Sequence, residues 1–171
     1  YPATCKAGFC HYTRWDVAQN TLKELAYQYG GKAPAFSNPA LRFGLLTFNN
    51  DGVVNAGIVS SPPSLKSALS TIVPGGGTRY TSAFLAARQH LQAVLGLDGK
   101  RSSYLLFITD GKPNEGCAGA LQIVKELNTG TGAYRLQTPD GTIHRVRTYV
   151  IGFGSSLDGS AKSCLNQLAA A

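Results

Sequence analysis

The chain has 171 residues, of which 43% are hydrophobic and 15% charged, with a formal charge of +7. That length supports one domain with a sizeable core, and no apolar run is long enough to span a bilayer. The basic residues are scattered from Lys6 to Lys162 with no long run and no basic helix. They lack the clustered footprint of a nucleic-acid surface and leave only a mild attraction to acidic partners.

The chain begins Tyr-Pro, shows no basic and apolar leader, and contains no Met, so it reads as a processed or excised piece of something longer. Residues 1 to 12, Y-P-A-T-C-K-A-G-F-C-H-Y, have no period and read as a loop pinned by Cys5 and Cys10. Thr13 with Asp16 three residues later resembles a capping box, with Asp where Glu is usual. Trp15, Ala18, Leu22, Leu25, Ala26 and Tyr29 form one stripe and predict a helix to about Tyr29, ended by Gly30-Gly31. A Pro-bearing loop leads to an apolar strand, Leu41–Phe48. It stops at Asn49-Asn50-Asp51-Gly52, where Asp-Gly is a hairpin signal. Val53–Val59 reads as the short return strand. Pro62-Pro63 opens a short helix through Leu69. Pro74-Gly75-Gly76-Gly77-Thr78 is a flexible loop, and a helix with a broad apolar face runs from about Thr81 to Leu95.

Asp98-Gly99-Lys100 turns into Ser103–Thr109. The uninterrupted apolar run Tyr104–Ile108 suits a strand buried on both faces of a parallel sheet. It ends at Asp110-Gly111. Ligands collect at the carboxyl ends of such strands, although Asp-Gly also simply makes turns. Cys117–Leu127 reads as a helix, with Leu121, Val124 and Leu127 spaced by three. Tyr134–Thr138 and Thr142–Val146 flank Pro139-Asp140-Gly141 as a hairpin whose second arm runs on into the core strand Arg147–Phe153. Ser160–Ala170 is the last helix. Strands alternating with helices predict an α/β fold with a mostly parallel sheet, flanked by helices in a three-layer, Rossmann-like sandwich. Neither a repeat nor a linker divides residues 1–171, so a single domain is expected.

Nucleotide loops fail. Gly75-Gly76-Gly77-Thr78 lacks the Lys-Ser/Thr ending of a phosphate cradle, and Leu157 stands where the fingerprint opened by Gly152-Phe153-Gly154 needs a third small residue. No Gly-x-Ser-x-Gly elbow occurs, and His11, His90 and His144 pair with no obvious acid, so no catalytic residue is named and an enzyme is not expected. The four cysteines allow three pairings. The nearness of Cys5 and Cys10 favours a local loop, and Cys117 and Cys164, each after a strand end, can meet on one side of the sheet. A zinc site is the competing reading, but only the first pair is closely spaced. Two disulfides imply an oxidising compartment outside the cytoplasm.

Two features remain: Gly77-Thr78-x-x-Thr81-Ser82 before a helix and Thr109-Asp110-Gly111 after a strand. Hydroxyl and carboxylate oxygens suit Mg²⁺, Ca²⁺ or Mn²⁺, while the bland role of Thr78 is a helix cap. Taken in order, Phe48-Asn49, then G-G-G-T-R-Y-T-S-A, then L-L-F-I-T-D-G-K-P-N, then Y-V-I-G-F-G resemble the von Willebrand factor type A domain over about residues 13 to 170. The resemblance implies a metal-ion-dependent adhesion site atop the sheet. Thr78 matches its loop threonine, Asp110 matches its strand-end aspartate, and Phe48-Asn49 lines the same face. It implies a protein ligand that offers an acidic oxygen, at an extracellular or cell-surface location. The cysteine pattern looks like bacterial extracellular members, including those at pilus tips. One departure stands out. The family opens with a central strand ending Asp-x-Ser-x-Ser, and residues 1 to 12 carry neither the strand nor the Asp. That strand is expected from upstream of Tyr1 or from another polypeptide, since an empty slot would leave two rows of backbone groups unpaired. The implied function is adhesion through a divalent cation. The alternative is a structural subunit of a surface or pilus assembly that accepts a donated strand and need bind no metal.

Overall fold

A computed structural model describes residues 4–6, 9–11, 13–30, 42–58, 62–95 and 102–171. In chain order the elements are β1 (Thr4–Lys6), β2 (Phe9–His11), α1 (Arg14–Gly30), β3 (Leu45–Phe48), β4 (Gly52–Ala56), α2 (Pro62–Thr71), α3 (Tyr80–Leu95), β5 (Ser103–Thr109), α4 (Ala118–Thr129), β6 (Leu136–Gln137), β7 (Ile143–His144), β8 (Val146–Gly152) and α5 (Gly159–Ala170). The α/β alternation read from the sequence is present. The chain forms two compact units, one of residues 1–45 and 55–75, the other of residues 46–54 and 76–171.

In the first unit, β1 and β2 pair antiparallel with Cys5 opposite Cys10, so part of the stretch read as a loop is a short hairpin. Five-residue spacing and a two-residue connection bring the two cysteines to one cross-strand position. Their side chains, and with them the expected Cys5–Cys10 bridge, lie outside the described residues, as do the Pro-bearing loop and the Asp98–Lys100 turn. The capping box is formed. Asp16 Oδ2 accepts from the Thr13 N–H at 2.8 Å and from its hydroxyl at 2.6 Å, and Thr13 Oγ1 accepts from the Asp16 N–H at 3.1 Å. The Thr13 hydroxyl, then its N–H, hold the Asp16 carboxyl below its ordinary pKa. Buried Gln19 on α1 donates to the Leu69 carbonyl of α2 at 2.6 Å. Ala56 and Leu65 form a small core with Phe43, Leu45 and Ala68 against it.

In the second unit, β5 and β8 pair in parallel, in register from Ser103↔Val146 to Thr109↔Gly152. Side chains in a strand alternate between faces. Here Phe107 and Thr109 are buried on the face that carries the packing: the Phe84 ring of α3 lies 4.8 Å from the Phe107 ring, and Leu165 of α5 lies against Gly152. The opposite face presents Tyr104, 59% exposed, and Leu106, 48% exposed, beside half-exposed Tyr149 and Ile151. The expectation of a strand buried on both faces is therefore corrected. An apolar run records that both faces are apolar, not that both are covered.

Strand β3 pairs with β4, and β5 with β8. Among the described residues no ladder joins β3 to β5. They approach through stacked rings of Phe48 and Phe107, 5.2 Å apart, so the direct pairing that would contradict the resemblance is not found. Both strands of the first apolar hairpin are shorter than read: 42–44 are not strand, and the return strand ends at Ala56. Helix α4 buries Ala120, Ile123, Val124 and Leu127 and ends on Gly130 at φ 73°, a left-handed cap that glycine adopts without strain. The β6–β7 hairpin is likewise shorter than the arms read from sequence. Its backbone is tied instead to α3, where Gln92 donates to the Gln137 carbonyl at 2.6 Å and accepts from the Gln137 N–H at 3.2 Å.

Candidate functional site

The carboxyl ends of β3, β5 and β8 and the start of α3 converge within the second unit. Asn49 closes β3, and its carbonyl accepts from the Arg79 N–H at 2.8 Å. Its side-chain oxygen accepts from the Asp51 N–H at 3.1 Å, an Asx turn that points the chain into β4. Gly76, at φ 88°, packs on Asn49, and Gly77 packs on the amides of Asn50 and Asn114, where any Cβ would collide. The glycine run is therefore more than a flexible tether: it lets the backbone lie flat on three side-chain amides.

Thr78 follows directly. Its carbonyl accepts from the Asn114 N–H at 2.8 Å, and its hydroxyl lies against Gly111, where a Cβ would sit 2.7 Å from Thr78 Oγ1. The two residues singled out in sequence, Thr78 and Asp110, are thus brought to the same place through the residue next to Asp110. Gly111→Ala should push Thr78 off its seat at a cost of about 1–3 kcal/mol. Denaturant unfolding checks this, and an unchanged midpoint would remove the contact from the account.

The floor of the site is aromatic. The Tyr80 ring stands edge-on to Phe107 at 4.8 Å and to Phe48 at 6.1 Å. Its hydroxyl donates to the Gly111 carbonyl at 2.6 Å. Burial pushes the Tyr80 phenol up in pKa against the downward pull of a hydrogen bond with Thr109, and the Asp110 charge adds to the rise, so it stays a protonated donor.

The 110–117 segment is clasped from both sides. Toward α3, Glu115 accepts from the Thr81 N–H at 2.8 Å, capping that helix, and faces Arg79 Nε at 3.4 Å. Toward α5, the Ser156 hydroxyl donates to the Asp110 carbonyl, and Lys112 meets Asp158 at 2.9 Å. A disulfide joins Cys117 to Cys164, with Cα atoms 5.6 Å apart, as the second pair of cysteines was expected to do. Asp158 also caps α5 by accepting from the Ala161 N–H at 2.8 Å and the Ser160 hydroxyl at 2.7 Å. These bonds, the Ala161 N–H foremost, then Ser160, then Lys112, hold the Asp158 carboxyl far below its ordinary 3.8. A carboxyl depressed on folding contributes stability that is present above its unfolded pKa and is lost as pH falls toward the folded one. Stability should therefore drop below about pH 4. Asp158→Asn should flatten that limb of an acid titration, and an acid limb identical to the parent's would count against the role.

The donor set suits a hard cation in kind but not in number. Thr78 and Asp110 supply a hydroxyl and a carboxylate, whereas such ions take about six oxygens. Among the described residues no three His, Cys, Asp or Glu side chains gather as metal ligands. Thr78 and Asp110 alone therefore do not make up a cation shell. Sequence reasoning missed Asn50, Asn114, Glu115, Lys112, Tyr80 and Ser156. Only Glu115 and Asn114 had a visible signal, as polar residues just past the strand-end turn.

The family profile described as von Willebrand factor type A domain matches residues 10–171. No curated protein matches. Solved structures do. One is proximal thread matrix protein 1 from the mussel byssus with a zinc-occupied MIDAS motif, at TM-score 0.61 and 18% identity over 90% of this chain and 33% of that one. Another is an aerotolerance-related membrane protein from Bacteroides fragilis, at TM-score 0.52 and 17% identity over 92% of this chain and 88% of that one. A third is BatB from Bacteroides thetaiotaomicron, at TM-score 0.50 and 15% identity over 92% and 89%. The chain spans about a third of the length of the byssus protein it matches. At these identities the likeness concerns the fold.

Proposed function

The chain belongs to the von Willebrand factor type A domain family, and from that premise we propose that it is an extracellular protein-binding module rather than an enzyme. Domains of this family commonly mediate protein–protein interaction. The partner is captured at the carboxyl ends of β3, β5 and β8. Thr78 and Asp110 are this chain's share of the oxygens around a divalent cation, Mg²⁺ by preference, and an acidic side chain of the partner supplies another. When bound, the ion would add positive charge where the partner's carboxylate arrives. The chain's own residues do the rest. Gly111 and the Asn114 N–H seat Thr78, Glu115 fixes the start of α3, and Ser156 holds the Asp110 backbone.

The observation that supports this reading is the packing of the Thr78 hydroxyl on Gly111, the residue that follows Asp110 at the end of β5. The byssus protein, whose MIDAS motif holds zinc, supports it by fold. The Cys117–Cys164 bridge supports a location outside the cytoplasm. A cell-surface or pilus setting is the narrower form of the same proposal. No helix among the described residues is long and apolar enough to cross a membrane. Calorimetric titration with Mg²⁺, Ca²⁺ and Mn²⁺ tests the reading. The parent chain should bind, and Asp110→Ala should lose at least tenfold in affinity.

The second reading is a structural subunit that accepts a strand from elsewhere and need bind no metal. One observation favours it: β5 is paired along β8 only, among the described residues, while β3 reaches it through side chains alone. Absence of heat in the titration, with no effect of Asp110→Ala, would select this second reading. A stable monomer by chromatography and circular dichroism, with no added strand, would overturn it.

A further inference from the structure

At the other end of the parallel pair, away from Asp110, lies a concave pocket of about 520 Å³. It is lined by Ser102, Ser103, Tyr104, Asn128, Thr129, Arg145 and Arg147. Ser103 opens β5 and Arg147 stands at the second position of β8, so the pocket sits where these strands begin. Seven residues of strand, roughly 20 Å at ~3.3 Å each, separate it from the site after Thr109. One small ligand cannot occupy both.

We propose that this pocket binds a tetrahedral oxyanion, the phosphate or sulfate group of a small ligand, between the guanidinium groups of Arg145 and Arg147. Three observations carry it. First, both arginines line the concavity, and neither has a hydrogen bond or ion pair with another described residue. Elsewhere in this unit the cations at the ends of loops are matched: Arg79 by Glu115 and Lys112 by Asp158. Second, no acidic side chain among the described residues lines the pocket, while Ser102 and Ser103 add hydroxyls to its lining. Third, residues 145 and 147 are two apart beside an extended strand, which turns both side chains to one face. Arg145 is held there by its stem, which lies against Gly130.

The end of α4 works against an anion, since Asn128 and Thr129 belong to its last turn and a helix C-terminus carries about half a negative charge. That opposition is reduced because the Gly130 and Thr131 N–H groups both donate to the Glu126 carbonyl. Two full positive charges outweigh it. The planar fork of Arg matches oxygen pairs on phosphate or sulfate, which Lys does not.

The test uses the whole chain and heteronuclear NMR titration with inorganic phosphate, inorganic sulfate and a sulfated monosaccharide, each against NaCl at equal ionic strength. Saturable shifts are expected at the amides of 102–104, 128–130 and 145–147, and not at 78 or 110, with or without Mg²⁺. Preference for the sugar ester over the free ions would place the group on a larger ligand; equal binding would place the recognition in the ion alone. Arg145→Gln with Arg147→Gln should weaken binding at least tenfold. Arg147→Lys, which keeps the charge, should weaken it severalfold. Shifts no larger than those in NaCl, shifts scattered over the surface, or a double variant that binds like the parent would each overturn the proposal. None of these outcomes depends on whether Asp110 holds a cation.

Discussion

Phe107→Ala is expected to cost about 3–5 kcal/mol. The Phe107 ring lies 5.2 Å from Phe48, 4.8 Å from Tyr80 and 4.8 Å from Phe84. Removing it opens a void among three rings, and rigid neighbours close such voids poorly. The damage should travel upward. Tyr80 holds the Gly111 carbonyl, and Gly111 seats Thr78, so the site should loosen along with the core. Tyr104→Ala is the matched control. It lies on the same strand three residues earlier, on the half-exposed face, and should change stability by no more than about 1 kcal/mol. Guanidinium unfolding of both variants decides the matter. Equal costs would mean that the two faces of β5 are equally buried, contrary to the structure.

Opening the Cys117–Cys164 bridge should have the next largest effect. Its ends are 47 residues apart. Chain-entropy reasoning gives about 4 kcal/mol for a loop of that length, and measured bridges typically contribute about 2–4. The pair Cys117→Ala with Cys164→Ala should therefore lower the unfolding midpoint in proportion, and reduction of the parent by a thiol should do the same. A second consequence is local. The bridge closes the 110–117 segment, whose other fastenings toward α5 are the Ser156 hydroxyl bond and the half-exposed Lys112–Asp158 pair. Hydrogen exchange should quicken across 110–117 when the bridge is gone. If exchange there is unchanged, the bridge stabilises the chain without holding the site.

Much of the framework was legible in the residues. The apolar runs ending at Phe48, Thr109 and Gly152 gave strands, because backbone pairing buries such runs efficiently. Thr13 with Asp16, and Pro139-Asp140-Gly141, carried their geometry in local side-chain chemistry, and both are formed. Cys117 and Cys164 met because each follows a strand end on one side of the fold. Other features leave no periodic trace. Which face of Tyr104–Ile108 is covered depends on helices far along the chain. The bond from the Thr81 N–H to Glu115 joins residues 34 apart, and the seat of Gly77 on Asn50 and Asn114 depends on three loops arriving together. Residues 4–6 and 9–11 pair without a trace in the sequence, because three-residue strands are too short to show alternation. Thr78 and Asp110 stand out through a family pattern; the Thr78 hydroxyl lies against Gly111, the residue after Asp110, and no cation shell is completed among the described residues.

The covalent link between α4 and α5 has one more consequence. Between its ends lies the β6–β7 hairpin, whose tip at Asp140, Gly141 and Thr142 is exposed. A protease that nicks that tip severs the backbone but frees neither fragment. The two pieces would migrate together on a non-reducing gel and part only after thiol treatment, so damage at this outermost turn stays hidden until the sulfur bond is cut.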